Sequence, residues 1–243
     1  MIRGAFCLIA KEPVIGCVKT RLVPPLSHEQ AAALYTAFVQ DTLARIGEAS
    51  DGRTDVILVS DPAPRSAPQL AALAHARNVG IRAQSEGDLG QRLFNMFEEG
   101  RAEGRAYTIA VGADHPSIPV ALLRELLGSM DAGASAAIIP SGDGGYCALG
   151  LRAARAEWFA NIPWSTPDVL ASTVAALRDS GIDARLLGAW YDVDRPRDLD
   201  RLAEDIESAA RASTEFPRHT AAILSEIGWT TAARRRQTEE RIF

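Results

Sequence analysis

An α/β fold, one domain on a mostly parallel central sheet with helices on both faces, is the class this sequence predicts. Three observations carry the expectation. Short, largely apolar runs alternate along the chain with longer stretches of helical periodicity, the pattern of a buried parallel sheet. Polar clusters follow most of those runs, where open parallel sheets bind ligands. The length of 243 residues suits one large domain with a substantial core.

The elements follow in order. Residues 4–10 read as a buried strand and lead into a basic loop, Lys11 to Leu22. Ser27 can cap a helix over about 28–48, with Glu29 and Gln30 in its first turn. A second strand, 55–60, is closed by Asp61-Pro62. A helix around 67–78, a short strand at 81–84 and a helix over 89–103 come next. The strand 107–111 ends at Gly112-Ala113-Asp114, and a helix over 119–130 precedes a strand at 134–139. The turn Ser141 to Gly145 leads to a strand at 146–151, and a proline-flanked loop around Trp164 leads to a helix at 167–179. A strand near 184–193 ends at Asp192-Val193-Asp194, and Pro196 opens a final long helix. Beyond Glu207 the pattern weakens, with one amphipathic stretch at 219–229 and a charged tail bearing Arg234, Arg235 and Arg236 that reads as solvated. The expected organisation is one domain over 1–205 and a helical appendage over 206–243.

Composition narrows the function. Hydrophobic residues at 47% and charged residues at 23% are those of a globular domain, and no run approaches membrane-spanning length. A net charge of -5 argues against a general nucleic-acid surface. With no secretory signal visible, the expected compartment is the cytoplasm. Three cysteines without a CxxC pair argue against a disulfide framework or a structural zinc site. Cys7 and Cys147 sit in apolar runs and read as small buried hydrophobes, whereas Cys17 lies in the basic loop with no partner base in sight.

Of 26 basic residues only two are lysines, Lys11 and Lys19, and both lie in the first loop. With Arg3 and Arg21 they face a single acid, Glu12, within residues 1–27. A flexible ammonium is a point charge suited to phosphate oxygens, so the loop reads as a polyphosphate receptor. Asp114 ends an apolar strand at the mouth of the sheet and is a candidate ligand for Mg²⁺ or Mn²⁺, which take carboxylates together with substrate phosphates. Asp192 and Asp194 end another strand, and by alternation either could complete the metal site. Asp198 falls in the first turn of the last long helix, where a carboxylate complements the helix dipole. The turn Asp143-Gly144-Gly145-Tyr146 reads equally as a plain β-turn and as a carboxylate beside a backbone close to substrate. The segment Gln84 to Arg92 carries two glycines, Gly87 and Gly90, at a strand-to-helix joint. Trp164 could stack on a sugar or base, or cover the core.

Five motifs in this order carry a resemblance. They are Lys-x-Pro-x-x-Gly-x-x-Lys-Thr-Arg-Leu, Gly-Asp-Leu-Gly-x-Arg, Gly-x-Asp-x-Pro, Asp-Gly-Gly-Tyr-x-x-x-Gly and Asp-Val-Asp-x-Pro-x-Asp-Leu. Over residues 4 to 205 the chain resembles the transferase 1 family of glycosyltransferase-like proteins, associated with radical-SAM and selenium-related genes and with arsenosugar biosynthesis. That family is similar to the nucleotide-diphospho-sugar transferase superfamily and related to guanylyltransferases of 2-phospholactate and of the molybdenum cofactor. The resemblance implies a single GT-A-like, Rossmann-like domain. It implies phosphate binding by Lys11, Lys19, Thr20 and Arg21, and base or ribose contacts by Gln84, Gly87 and Gly90. Asp114 and Asp194 match metal positions; Asp143 and Trp164 match the acceptor side. Ala113 and His115 depart from the family's common serine or threonine and cysteine, and the glycine-rich first loop of sugar nucleotidyltransferases is absent.

The expectation is thus a metal-dependent enzyme that takes a nucleotide-activated sugar and passes the glycosyl group to a small acceptor, with Asp143 as base. One alternative is a nucleotidyltransferase acting on a nucleoside triphosphate and a phosphorylated acceptor. The other is a nucleotide-binding protein without turnover. Base, sugar, acceptor and self-association into a homo-oligomer stay open at this level.

Overall fold

The computed structural model describes residues 4–212 and 214–230. Arg3 and the arginines at 234–236 lie outside them. The chain divides into two compact units. The first comprises residues 1–12, 43–113 and 118–192, and the second 13–42, 114–117 and 193–243.

The first unit holds the sheet. Its strands are β1 (Ala5–Lys11), β2 (Asp55–Asp61), β3 (Gly80–Ala83), β4 (Thr108–Gly112), β5 (Ala136–Pro140), β6 (Tyr146–Leu151) and β7 (Arg185–Leu186). They lie in the order β3-β2-β1-β4-β6-β5-β7. β1 is flanked in parallel by β2 and β4, β3 pairs parallel with β2, and β7 pairs parallel with β5. β6 runs antiparallel to both β4 and β5, because the turn after β5 folds the chain back at once. The sheet is therefore mostly parallel, as the apolar runs predict.

β1 explains why those runs are apolar on both sides. Ala5 and Cys7 join a core with Ile57, Val59, Ala110, Ile138 and Leu149, packed under Leu93, Met96 and Phe97. Phe6 and Leu8 point to the opposite face and are also fully buried. The helices of this unit are α2 (Pro68–Ala76), α3 (Leu89–Ala102), α4 (Val120–Asp131), α5 (Glu157–Ala160) and α6 (Val169–Asp179). α5 is too short to announce itself by periodicity; it buries Trp158 and Phe159, and Phe159 stacks on Phe97. Buried Glu12, just past β1, accepts from the backbone N–H groups of Gln69 and Leu70 and so closes the first turn of α2.

The strand expected at 184–193 is the main departure. Only Arg185–Leu186 pair as a strand, with one further bridge between Ser141 and Trp190. This is the sheet's edge, and Gly188 interrupts the run where a side chain would have to pack. Asp192, Val193 and Asp194 consequently lie outside any strand, and the alternation argument does not apply to them.

The second unit contains the loop after β1, most of α1 (His28–Ser50), α7 (Pro196–Arg211) and α8 (Arg218–Glu226). Ser27 and Gln30 cap α1 reciprocally, the Ser27 hydroxyl accepting from the Gln30 N–H and the Gln30 side chain from the Ser27 N–H. α7 buries Leu199, Leu202, Ala203 and Ile206 along one face. The buried carboxylate of Asp41 accepts from the N–H groups of His219 and Thr220, at 3.1 and 2.7 Å, which ties the start of α8 to α1. Among the described residues no helix is long and apolar enough to cross a membrane.

Charge-assisted hydrogen bonds of this kind contribute more than neutral ones. Asp41→Ala should therefore destabilise the protein by about 2 kcal/mol. Urea unfolding measures this, and an unchanged midpoint would show that α8 is held by other means.

Candidate functional site

Within the second unit, one side chain gathers three distant stretches of sequence. Lys19 follows the loop at φ 47°, ψ 36°, a left-handed conformation that costs a non-glycine residue free energy and persists only where its surroundings hold it. The short 3-10 turn Thr20–Leu22 begins there, and fully buried Leu22 anchors it. The Lys19 side chain is only 5% exposed. Its Nζ lies 2.6 Å from Asp114 Oδ1 and 2.7 Å from Asp194 Oδ1, and it donates to the Val193 carbonyl at 2.8 Å. An ammonium has three donors, and these oxygens take all three. The Phe38 ring lies 5.7 Å from the same nitrogen.

The carboxylates are held from behind. The Val193 N–H donates to the Asp114 carbonyl, fixing the segment after β4 against the segment before α7. Asp198 Oδ2 accepts from the N–H groups of Asp194 and Arg195, so its carboxylate caps α7 and sets the Asp194 backbone. Arg21 reaches Asp194 Oδ2 at 3.5 Å and is itself largely exposed. Burial alone would push the Lys19 ammonium down, but the two carboxylates outweigh it and hold it above its ordinary value. Burial likewise pushes Asp194 up, yet Lys19 and then Arg21 bring its carboxyl below the usual range.

The other expected residues belong to the first unit. Lys11 is the last residue of β1 and is exposed. Gln84 follows β3, where its amide oxygen accepts from Arg92 at 3.1 Å. Arg92 also donates to Asp61 Oδ2 and to the Gly87 carbonyl, tying the ends of β2 and β3 to the turn before α3. Gly87 has φ 113°, which demands glycine. Gly90 is required for packing: a Cβ there would lie 2.5 Å from the Phe159 carbonyl oxygen and 3.0 Å from Trp164 Nε1. Trp164 is half-buried and packs against the apolar core. Asp143 is exposed and accepts from the Gly145 N–H in its own turn. Gly144 has φ 93°, and its carbonyl accepts from Leu170 N–H, docking the turn on the start of α6. Asp192 accepts from the Ser141 hydroxyl and so has a different partner from Asp194.

Sequence reasoning missed Arg92 and Asp61 as a linked pair, although both lie in or beside segments it singled out. It also missed the Val193 carbonyl, since a backbone acceptor leaves no trace in residue type. Burial pushes the Cys7 thiol up to about 11 and that of Cys147 up to about 12, so both are inert, while Cys17 is exposed.

Asp114 and Asp194 converge on one cation position, a hard-oxygen pair of the type that Mg²⁺ or Mn²⁺ accepts. Among the described residues no three His, Cys, Asp or Glu side chains converge. An ion held here would therefore draw its remaining ligands from water and substrate phosphate, which is the usual habit of Mg²⁺. Without the ammonium, the two carboxylates would face each other in a partly buried site. Lys19→Met should cost on the order of 2 kcal/mol, less than a fully buried pair because both carboxylates reach solvent. The change in urea midpoint reads this, and no change would mean that Lys19 does not hold the segments together.

The architecture has known counterparts. A structure from Desulfovibrio desulfuricans G20, described as a "putative nucleotide-diphospho-sugar transferase", matches with a TM-score of 0.82 at 28% identity, covering 97% of this chain and 98% of that one. A cytidylyltransferase from Leptospira borgpetersenii serovar Hardjo-bovis (strain JB197) matches at 0.56 and 9% identity, covering 94% and 96%. CMP:2-keto-3-deoxy-manno-octonic acid synthetase complexed with CTP matches at 0.53 and 14% identity, covering 85% and 99%. These last two likenesses show the fold alone. No curated protein matches the chain. The family model described as "Uncharacterized protein conserved in bacteria (DUF2064)" matches residues 42–166, just over half of the chain, and the chain belongs to that family.

Proposed function

We propose that this protein is a transferase that binds the diphosphate of a nucleotide-activated sugar with Mg²⁺ or Mn²⁺ and passes the glycosyl group to a small acceptor. One observation carries the reading: Lys19, Arg21, Asp114 and Asp194 form a single cluster of two cations and two carboxylates in the second unit, with Asp114 two residues past the end of β4. The likeness to the Desulfovibrio protein, over nearly the whole of both chains, supports it. Asp114 and Asp194 would hold the ion, which when bound neutralises charge on the leaving nucleoside diphosphate. Arg21 is exposed and positively charged beside them and would meet the phosphates; Thr20, also exposed, offers a hydroxyl.

Lys11, Gln84 and Asp143 belong to the first unit, and their proposed roles stand on substitution. Lys11 would add charge toward phosphate, Gln84 would meet the nucleoside, and Asp143 would take the proton of the acceptor hydroxyl. The fold shared with cytidylyltransferases favours a second reading, attack on the α-phosphate of a nucleoside triphosphate by a phosphorylated acceptor. Pyrophosphate release from CTP or GTP would mark that reaction; release of a nucleoside diphosphate from a sugar nucleotide would mark glycosyl transfer.

The expected outcome for Asp114→Ala is loss of the divalent-ion dependence of nucleoside diphosphate binding, measured by calorimetry with and without Mg²⁺. Unchanged dependence would sink the assignment. Lys11→Ala combined with Lys19→Ala should weaken nucleoside diphosphates more than the bare nucleosides. Equal loss for both would contradict a phosphate-specific role.

A further inference from the structure

We infer that Lys19 is the resident counter-cation of the Asp114–Asp194 pair, and that a divalent ion must displace it, so that ion and nucleoside diphosphate bind interdependently. The inference rests on the reading of Asp114 and Asp194 as ion ligands.

The geometry sets the exclusion. The ammonium lies 2.6 and 2.7 Å from one oxygen of each carboxylate and fills the position between them. A second cation cannot share that position, because two like charges in contact with the same oxygens repel strongly. The third donor, to the Val193 carbonyl, adds to what an incoming ion must disrupt. Charge sets the interdependence. Lys19 and Arg21 balance Asp114 and Asp194, so the cluster as it stands offers a diphosphate no net attraction. A divalent ion that takes over the carboxylates frees the ammonium and leaves the cluster with two uncompensated positive charges. The anion then has partners, and its binding in turn favours the displaced state, as reciprocal linkage requires.

Residue type fits this role. Lysine is a compact charge on a flexible four-carbon stem, able to leave one oxygen set for another while its backbone stays fixed. Arginine's planar fork would bind the carboxylate pair more rigidly. The chain uses arginine at 24 of its 26 basic positions and lysine here. The buried Leu22 and the constrained backbone of Lys19 keep the stem's origin in place while its tip moves.

The test inverts the usual expectation for a binding-site residue. Mn²⁺ binding, followed by electron paramagnetic resonance without nucleotide, should be tighter in Lys19→Gln than in the wild type by on the order of tenfold. The gain should vanish in Lys19→Gln combined with Asp114→Asn. Equal Mn²⁺ affinity in the wild type and Lys19→Gln, lost in Asp114→Asn, would overturn the counter-cation role while leaving the ion site intact. Mn²⁺ binding that ignores Asp114 in every variant would overturn both. Should Lys19→Gln fail to fold, the wild type supplies a second reading through acetylation by an N-hydroxysuccinimide ester and mass spectrometry. Millimolar Mn²⁺ should raise labelling of Lys19 relative to Lys11, and an unchanged ratio would overturn the inference.

Discussion

The Lys19 ammonium joins the loop before α1, the four residues that follow Ala113 and the segment that opens α7. Apart from the short 3-10 turn Thr20–Leu22, these stretches have no helical or strand ladder to hold their shape. Their order comes from one buried charge with three oxygen partners, reinforced by the Val193 to Asp114 backbone bond and by the Asp198 cap. Within the second unit, this contact decides how the polar residues of these stretches meet.

Such an arrangement is expensive in isolation. Taking an ammonium out of water costs several kcal/mol, and attraction repays the cost only when every donor is matched. Here the match is complete, and both carboxylates keep part of their surface in water, which limits their own desolvation. The result is a site whose charges are paired with each other rather than displayed. On the proposed reading, an anionic ligand would gain from it only after the pairing changes, and the contact that orders these segments would also set the condition for binding.

Much of the fold was legible because the physics behind it is local. β1, β2, β4, β5 and β6 appear as apolar runs since both faces of a central strand are covered, and Ser27, Pro196 and Asp198 mark helix starts by chemistry that needs only near neighbours. The edge strand β7 was overestimated because pairing at an edge depends on one neighbour, and Gly188 gives it nothing to pack. In the site, Asp114 and Asp194 could be picked out individually as acids at the ends of runs. Their union through Lys19 could not, because it depends on contacts between residues far apart in sequence, Lys19 with Asp114 and, across 175 residues, Lys19 with Asp194. Gly90 shows the converse case. Sequence marks it as special, but the reason is the carbonyl of Phe159, a neighbour only in three dimensions.

The central claim is that one of the chain's two lysines, Lys19, is a buried, triply bonded ammonium, whereas Lys11 is exposed. Selective ¹⁵N-lysine labelling tests this directly, since only Lys11 and Lys19 can contribute side-chain signals. At neutral pH and without divalent ions, a ¹H–¹⁵N spectrum should show one ammonium protected from exchange with water, and Asp194→Asn should abolish that protection. Two ammonium groups exchanging alike, or a protected signal indifferent to Asp194, would contradict the account.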